Sequence, residues 1–306
     1  MLSTESGGGG GDPCAAAAEE ETNSTVTNAI RRMGLLLFGR GEAALICAAL
    51  LACTSEARPL RLGTTYTVEQ SGALALLDSL HPPAAVSVVV GPSGQILRSA
   101  AAGDLDVVIT HAPSLEQRLL VTPGHAARRC PFVASRFAIV GPAADPAKVA
   151  GAATAVEALR RIAASGAPFV SRGDSSGTHL KELSLWGGAG VLPGGRPWYV
   201  EAGADQAATL RLADERRAYA LADLPTFARL KGIELRVLLA GDTALVNPYT
   251  LYVIRSPSPT HPAAAAFGSW ALTDWRDRLL TLRLDDGAAA FLSLPGGCEA
   301  PAPVAP

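Results

Sequence analysis

From residue 59 onward, short apolar runs alternate with longer stretches whose apolar positions recur at helical spacing. Leu60-Arg61-Leu62 reads as a strand entering the polar run GTTYTVEQSG, and ALALLDSL behind it carries a helical pattern. Ala85 to Val90 (AVSVVV) reads as a buried strand, broken by Gly91-Pro92-Ser93-Gly94 and followed by a helix over Gln95 to Ala102. Asp106 to Thr110 (DVVIT) is the next strand, stopped by His111-Ala112-Pro113. After a crossing strand, Phe137 to Val140 opens a new unit, and Val156 to Ala164 is amphipathic. Phe169-Val170 is a short strand feeding SRGDSSGTH, and Leu180 to Trp186 reads as a helix stopped by Gly187-Gly188. Further strands are predicted at Trp198-Tyr199-Val200, Ala218 to Ala222 and Leu235 to Leu239, with Leu251 to Ile254 (LYVI) as a return crossing. Ala263 to Arg278 and Gly287 to Leu294 are predicted as terminal helices, and the tail, residues 298–306, as frayed.

This β-loop-α rhythm predicts an α/β fold, a parallel or mixed sheet with helices on its faces. The order of elements divides it into two lobes joined by two crossing strands. Lobe 1 takes residues 59–138 plus 246–297, and lobe 2 takes 139–245. A hinge-and-cleft arrangement of this kind places a ligand between the lobes, where strands end and helices begin.

Residues 1–57 follow another pattern. A five-glycine run, a four-alanine run and the acidic run EEE fill residues 1–32, a composition that cannot bury a core. Arg31, Arg32 and Arg40 then precede an uninterrupted apolar run from Ala43 to Ala52, of the length of a signal-peptide core. Met33 offers an alternative start. Leu50-Leu51-Ala52-Cys53 resembles a bacterial lipobox with Cys53 as the lipidated residue, and Ser55-Glu56-Ala57 offers an ordinary cleavage site. Export is therefore expected, with the anchor left open. Cys14, Cys47 and Cys53 fall in or at the edge of this leader, so Cys130 and Cys298 are the two that can pair in an oxidising compartment.

The net charge of −2 removes the broad attraction that nucleic-acid binding needs, so a bound anion must be held by local geometry. No CxxC or His/Cys cluster points to zinc, and no Walker or Rossmann glycine pattern points to a nucleotide. Three loops share a chemistry suited to anions: Thr64-Thr65-Tyr66-Thr67 with Ser71-Gly72, Gly91-Pro92-Ser93-Gly94, and the run from Ser171 to Thr178. Each follows a strand and precedes a helix, where unpaired amides and the helix dipole favour negative charge. Any one of them is accounted for by helix capping. Together they hold more hydroxyls than caps require, and Arg172 adds a guanidinium able to fork two oxygens.

SRGDSSGTH admits competing readings. GDSSG resembles the glycine-flanked serine of a hydrolase, with Ser175 or Ser176 as nucleophile and His179 nearby, but the partner set and the α/β context do not fit. Arg172-Gly173-Asp174 also spells an adhesion tripeptide, a short motif with little weight. Arg172 can pair with Asp174 or Glu182 instead of a ligand. Asp174 itself is either an acceptor for a protonated anion or a helix cap and partner of Arg172, and the cap is the expected role.

The chain from 59 to 260 resembles the tungstate-binding subfamily of periplasmic solute-binding proteins. The markers are TTYTVEQSG, SGQ within GPSGQIL, GDLDVVITHAP, APFVSRGDSSGTHLKELSLW, WYVEAG, AYALAD and GDTALVNPY. The resemblance implies a two-lobed type II binding-protein fold that closes on tungstate or molybdate and serves an ABC-type permease as a monomer, without catalysis or cofactor. It implies Thr65, Thr67, Ser71 and Arg172 as ligands, followed by Thr64, Ser93, Ser176 and Thr178. Tyr66 stands where the family usually has Thr, Thr67 where it has Ser, and Gln206 where it has Met. Fully ionised tungstate, molybdate and sulfate only accept hydrogen bonds, whereas phosphate near neutral pH also donates one. A free carboxylate in the site would therefore favour a phosphate receptor.

Overall fold

The computed structural model describes residues 58–255 and 260–301. The leader, Cys14, Cys47, Met33 and the expected anchor at Cys53 lie outside the described residues, as do 302–306. The strands are β1 (Leu60–Thr65), β2 (Val86–Gly91), β3 (Val107–Thr110), β4 (Ala126–Gly141), β5 (Phe169–Ser171), β6 (Tyr199–Glu201), β7 (Ala220–Asp223), β8 (Arg236–Leu239), β9 (Val246–Ile254) and β10 (Leu292–Ser293). The helices are α1 (Tyr66–Gln70), α2 (Ser93–Ala102), α3 (Pro113–Glu116), α4 (Ala155–Ser165), α5 (Gly177–Ala189), α6 (Gln206–Glu215), α7 (Leu224–Arg229), α8 (Ala264–Trp270) and α9 (Arg276–Leu280).

One mixed sheet runs β10-β4-β9-β3-β1-β2, with β7 and β8 also paired to β4. β1 lies parallel to β2 and β3, while β9 lies antiparallel to β3 and β4. The 16-residue β4 organises the whole sheet. Ala126 to Arg136 pairs with β9, whereas Phe137 to Gly141 turns to β7 and β8. β4 thus passes from one part of the sheet to the other, and β9 runs antiparallel along its first part. Because successive strand residues face opposite sides, Phe137 and Ile139 enter one core and Ala138 and Val140 another. Leu62, Ile109, Phe132 and Trp275 fill the core at the other end of β4, beneath α8 and α9.

Several elements depart from the sequence pattern. ALALLDSL folds as two 3-10 turns, Leu74–Leu76 and Asp78–Leu80, between left-handed Gly72 and His81. α5 starts at Gly177 and runs through Gly187-Gly188 to Ala189, ending at left-handed Gly190. Packing of Leu185, Trp186 and Ala189 against the core outweighs the modest helix penalty of two glycines. Gly287 to Leu294 is not a helix. Leu292 and Ser293 instead pair with Val133 and Ala134 of β4, and Phe291 is buried, so sheet pairing overrides the alanine-rich propensity. The start of the tail, where fraying was expected, is fastened: Cys298 is disulfide-bonded to Cys130, and Arg129 and Glu299 exchange two backbone hydrogen bonds, while 302–306 lie outside the described residues.

Candidate anion-binding site

Five strands end at the site. β1 delivers Thr64 and Thr65 and leads directly into α1, which carries Thr67. β2 leads through Gly91-Pro92 to Ser93 at the start of α2. β3 presents His111, β5 presents Arg172, and β7 ends on Asp223 at the start of α7. The loops converge from both ends of β4. A Cβ on Gly94 would lie 3.4 Å from the Ser175 carbonyl oxygen, and one on Gly177 would lie 2.6 Å from that of His111. The Arg172 guanidinium carbon sits 5.9 Å from the centre of the Tyr66 ring. Gln70 of α1 accepts a 3.0 Å hydrogen bond from the Ala207 amide at the start of α6.

All eight residues expected to hold the ligand are buried: Thr64, Thr65, Thr67, Ser71, Ser93, Arg172, Ser176 and Thr178. Their hydrogen bonds separate them. Ser93 Oγ, Thr178 Oγ1 and Arg172 Nε have no partner within the protein, although a buried polar group without one costs about 1–3 kcal/mol. Thr64 Oγ1 instead donates to the Ile109 carbonyl at 3.4 Å, and Ser71 Oγ donates to that of Val68 at 3.0 Å. Thr65 Oγ1 lies 3.0 Å from Thr67 Oγ1, which lies 3.2 Å from His111 Nε2. Ser176 caps α5 by accepting from the His179 amide, a lone-pair interaction that leaves its hydroxyl proton available. Gln206 donates from Nε2 to the Leu221 carbonyl, and its own buried carbonyl oxygen is unpartnered.

Asp174 is tied within its own loop. One carboxylate oxygen takes the Arg172 guanidinium and the other accepts from the Ser176 amide at 3.1 Å. The expected pairing with Arg172 is present, but the cap of α5 is Ser176 rather than Asp174. Gly173, at φ +61, turns the chain where a Cβ would press on Glu201, so the loop's shape depends on glycine there. Ser175 is exposed, and His179 Nδ1 accepts from its backbone amide rather than its hydroxyl. Among the described residues no imidazole takes a proton from Ser175 Oγ or Ser176 Oγ, so the nucleophile arrangement is not formed. No group of three His, Cys, Asp or Glu among the described residues is placed to hold a metal ion.

His111, Asn247, Asp223 and Ser135 form a buried cluster that the sequence pattern did not single out. His111 Nδ1 lies 2.9 Å from Asn247 Oδ1, and the ring stacks on Tyr249 with centroids 4.8 Å apart. Asn247 Nδ2 reaches Ser135 Oγ at 3.1 Å, Asp223 Oδ1 at 3.2 Å and Tyr249 Oη at 3.0 Å. Burial pushes the His111 imidazole down to about 4, so it is neutral at physiological pH.

Behind β5, Glu182 is buried and accepts from Tyr199 Oη at 2.7 Å and Trp186 Nε1 at 3.1 Å. Burial outweighs both donors and pushes its carboxyl from 4.5 up to about 7. A carboxyl raised on folding contributes stability that is full below about pH 4.5 and lost as pH rises through about 7, by roughly 3 kcal/mol at most. Glu182→Gln is expected to flatten that slope, so the variant gains on the parent between pH 5 and pH 8 in urea melts. An unchanged slope would locate the titration elsewhere.

Comparison with known proteins places the chain in a family. A family model described as a PBP superfamily domain matches residues 53–274. The tungstate-binding protein TupA of Peptoclostridium acidaminophilum is 34% identical over 231 residues, covering 72% of this chain and 79% of that protein. The crystal structure of the tungstate ABC transporter from Geobacter sulfurreducens is similar at 39% identity and a TM-score of 0.63, covering 72% of this chain and 98% of that one. The tungstate-binding protein TupA from Desulfovibrio alaskensis G20 is similar at 30% identity and a TM-score of 0.64, covering 79% and 99%.

Proposed function

The chain belongs to the PBP superfamily, and from that premise we propose that it is an exported receptor capturing tungstate, or molybdate, for an ABC-type importer. The observation that carries the reading is the set of buried donors without protein partners, Ser93 Oγ, Thr178 Oγ1 and Arg172 Nε, at loops meeting from both ends of β4. Water-excluded donors of this kind favour a fully ionised oxyanion, to which charge-assisted hydrogen bonds are strongest. Thr65 and Ser176 complete the ligand set we propose, and Thr67 supports Thr65 from behind. Thr64 and Ser71 stand behind it, with hydroxyls turned to the backbone.

The position of Asp174 supports tungstate over phosphate as the preferred anion. One oxygen is paired with Arg172 and the other accepts from the Ser176 amide, so the carboxylate is held within its own loop instead of standing free as an acceptor for a hydrogen phosphate. The domain division proposed is 59–138 plus 246–297 around one part of the sheet and 139–245 around the other, with β4 and β9 as the connection. The receptor works as a monomer beside a membrane permease, either tethered by lipid at Cys53 or released by cleavage after Ala57. The Cys130–Cys298 disulfide suits a periplasmic or extracellular setting. No helix among the described residues is long and apolar enough to cross a membrane.

The test is thermal unfolding with tungstate, molybdate, sulfate and phosphate side by side. An anion at about 100 times its Kd adds about 2.7 kcal/mol, which for a domain of this size raises Tm by roughly 5–10 °C. Tungstate and molybdate are expected to give that shift, and phosphate is not. No shift with any of the four would leave the fold without this function.

A further inference from the structure

A chain of side chains runs from the anion loop to the crossing strands: Thr65, Thr67, His111, Asn247 and Asp223. Its polarity can be worked out from the Asp223 end. Asn247 must turn Nδ2 toward Asp223 Oδ1, Ser135 Oγ and Tyr249 Oη, because Ser135 and Tyr249 give their protons to Asp223 Oδ1 and a carbonyl there would meet only acceptors. Asn247 Oδ1 therefore faces His111, and His111 Nδ1 must carry the proton between them. In the neutral ring Nε2 then holds only a lone pair, so Thr67 Oγ1 donates to it. Thr67, with its single proton so placed, can only accept from Thr65.

Every proton in this chain points inward, away from the cleft. Thr65 makes no side-chain cap to α1, and it and Thr67 would meet an approaching anion with lone pairs. Reversing the chain requires one extra proton, on His111 Nε2. Nε2–H then donates to Thr67, Thr67 donates to Thr65, and the Thr65 hydroxyl donates to the anion, while Nδ1–H stays on Asn247. We propose that binding of a dianionic oxyanion is coupled to uptake of one proton from solvent at His111, which turns Thr65 into a ligand donor and places a positive charge behind it. This rests on the oxyanion reading above.

The surroundings suit such a change. A pocket of about 250 Å³ lined by His111, Asn247, Gly177, Lys181 and Ser184 lies beside this chain of side chains and offers a route by which a proton can arrive. Burial is the main influence holding the His111 ring neutral, with Arg172 opposing its charge and Asp174 favouring it. The other titratable groups around it are Lys181 on α5, which shares the pocket, Glu116 on α3 (which holds the Ala112 amide), Tyr249 stacked on the ring and Asp223 beyond Asn247. A dianion beside Arg172 adds two negative charges to this balance and raises the proton affinity of the imidazole.

Calorimetric titration of the wild-type protein with tungstate at pH 7, in two buffers of different ionisation enthalpy, tests the idea. The expected result is a buffer-dependent heat corresponding to a net uptake approaching one proton per anion. The linked affinity weakens as pH rises from 7 to 9, by up to about tenfold per pH unit. His111→Gln should abolish the buffer dependence, and His179→Gln should keep it. If His111→Gln fails to fold, Thr67→Val, which cuts the chain between ring and cleft, should abolish it instead. Tungstate binding with buffer-independent heat, or uptake that persists in His111→Gln or in Thr67→Val, overturns the proposal. Absence of any tungstate binding would sink the receptor reading itself, and this proposal with it.

Discussion

Arg172→Ala is expected to weaken tungstate binding by at least about a hundredfold, read as Kd by calorimetric titration. The side chain is 2% exposed and carries an Nε–H with no partner in the protein. A guanidinium that forks two oxygens supplies two charge-assisted hydrogen bonds, each worth about 1.5–3 kcal/mol, so the loss is roughly 3–6 kcal/mol. Truncation has a second effect. Asp174 loses its cationic partner and leaves a carboxylate near the incoming dianion, which repels it. Arg172→Lys restores the charge but not the planar fork, and should recover only part of the affinity. An Arg172→Ala protein that melts like the parent and binds tungstate undiminished would remove the guanidinium from the site.

The loops around Arg172 were legible in the sequence because their chemistry is local. Hydroxyls and glycines between an apolar run and a helical pattern mark a strand-to-helix turn, and Thr65, Ser93 and Arg172 sit at such turns in the structure. Hydroxyl direction was not legible. Nothing in TTYTVEQSG says that Thr64 and Ser71 turn to backbone carbonyls while Thr65 and Thr67 join a chain to His111. The cluster behind the site was hidden for a different reason. His111 and Asn247 bond across 136 residues, and Ser135 and Asn247 across 112, so no spacing along the chain announces them. One signal was available: His111 follows DVVIT directly, at the same kind of strand end as the three loops. Elsewhere the misreadings share a cause. Gly187-Gly188 and Gly287 to Leu294 follow tertiary partners, a buried core in one case and an unpaired stretch of β4 in the other, rather than local propensity.

Trp186→Ala should produce the largest loss of stability, about 3–5 kcal/mol, with a fall in Tm of roughly 6–20 °C. Trp186 is fully buried on α5, with ring centroids 5.2 Å from Phe169, 5.6 Å from Trp198 and 6.3 Å from Tyr199. These rings clamp β5 and β6 onto α5, and Arg172 is the residue immediately after β5. Truncation therefore opens a cavity under the strand that aims the guanidinium. It also deprives Glu182 of one of its two side-chain donors in a site where water cannot replace it. Trp186→Phe keeps an aromatic ring in place and should cost less than Trp186→Ala. Its deficit against the parent should be largest above pH 7, where Glu182 most needs donors. Binding should weaken in parallel in Trp186→Ala even though Trp186 touches no ligand, because a looser β5 holds Arg172 less firmly. A Tm within about 2 °C of the parent would mean that the aromatic clamp does not hold β5, and that Arg172 is positioned by its loop alone.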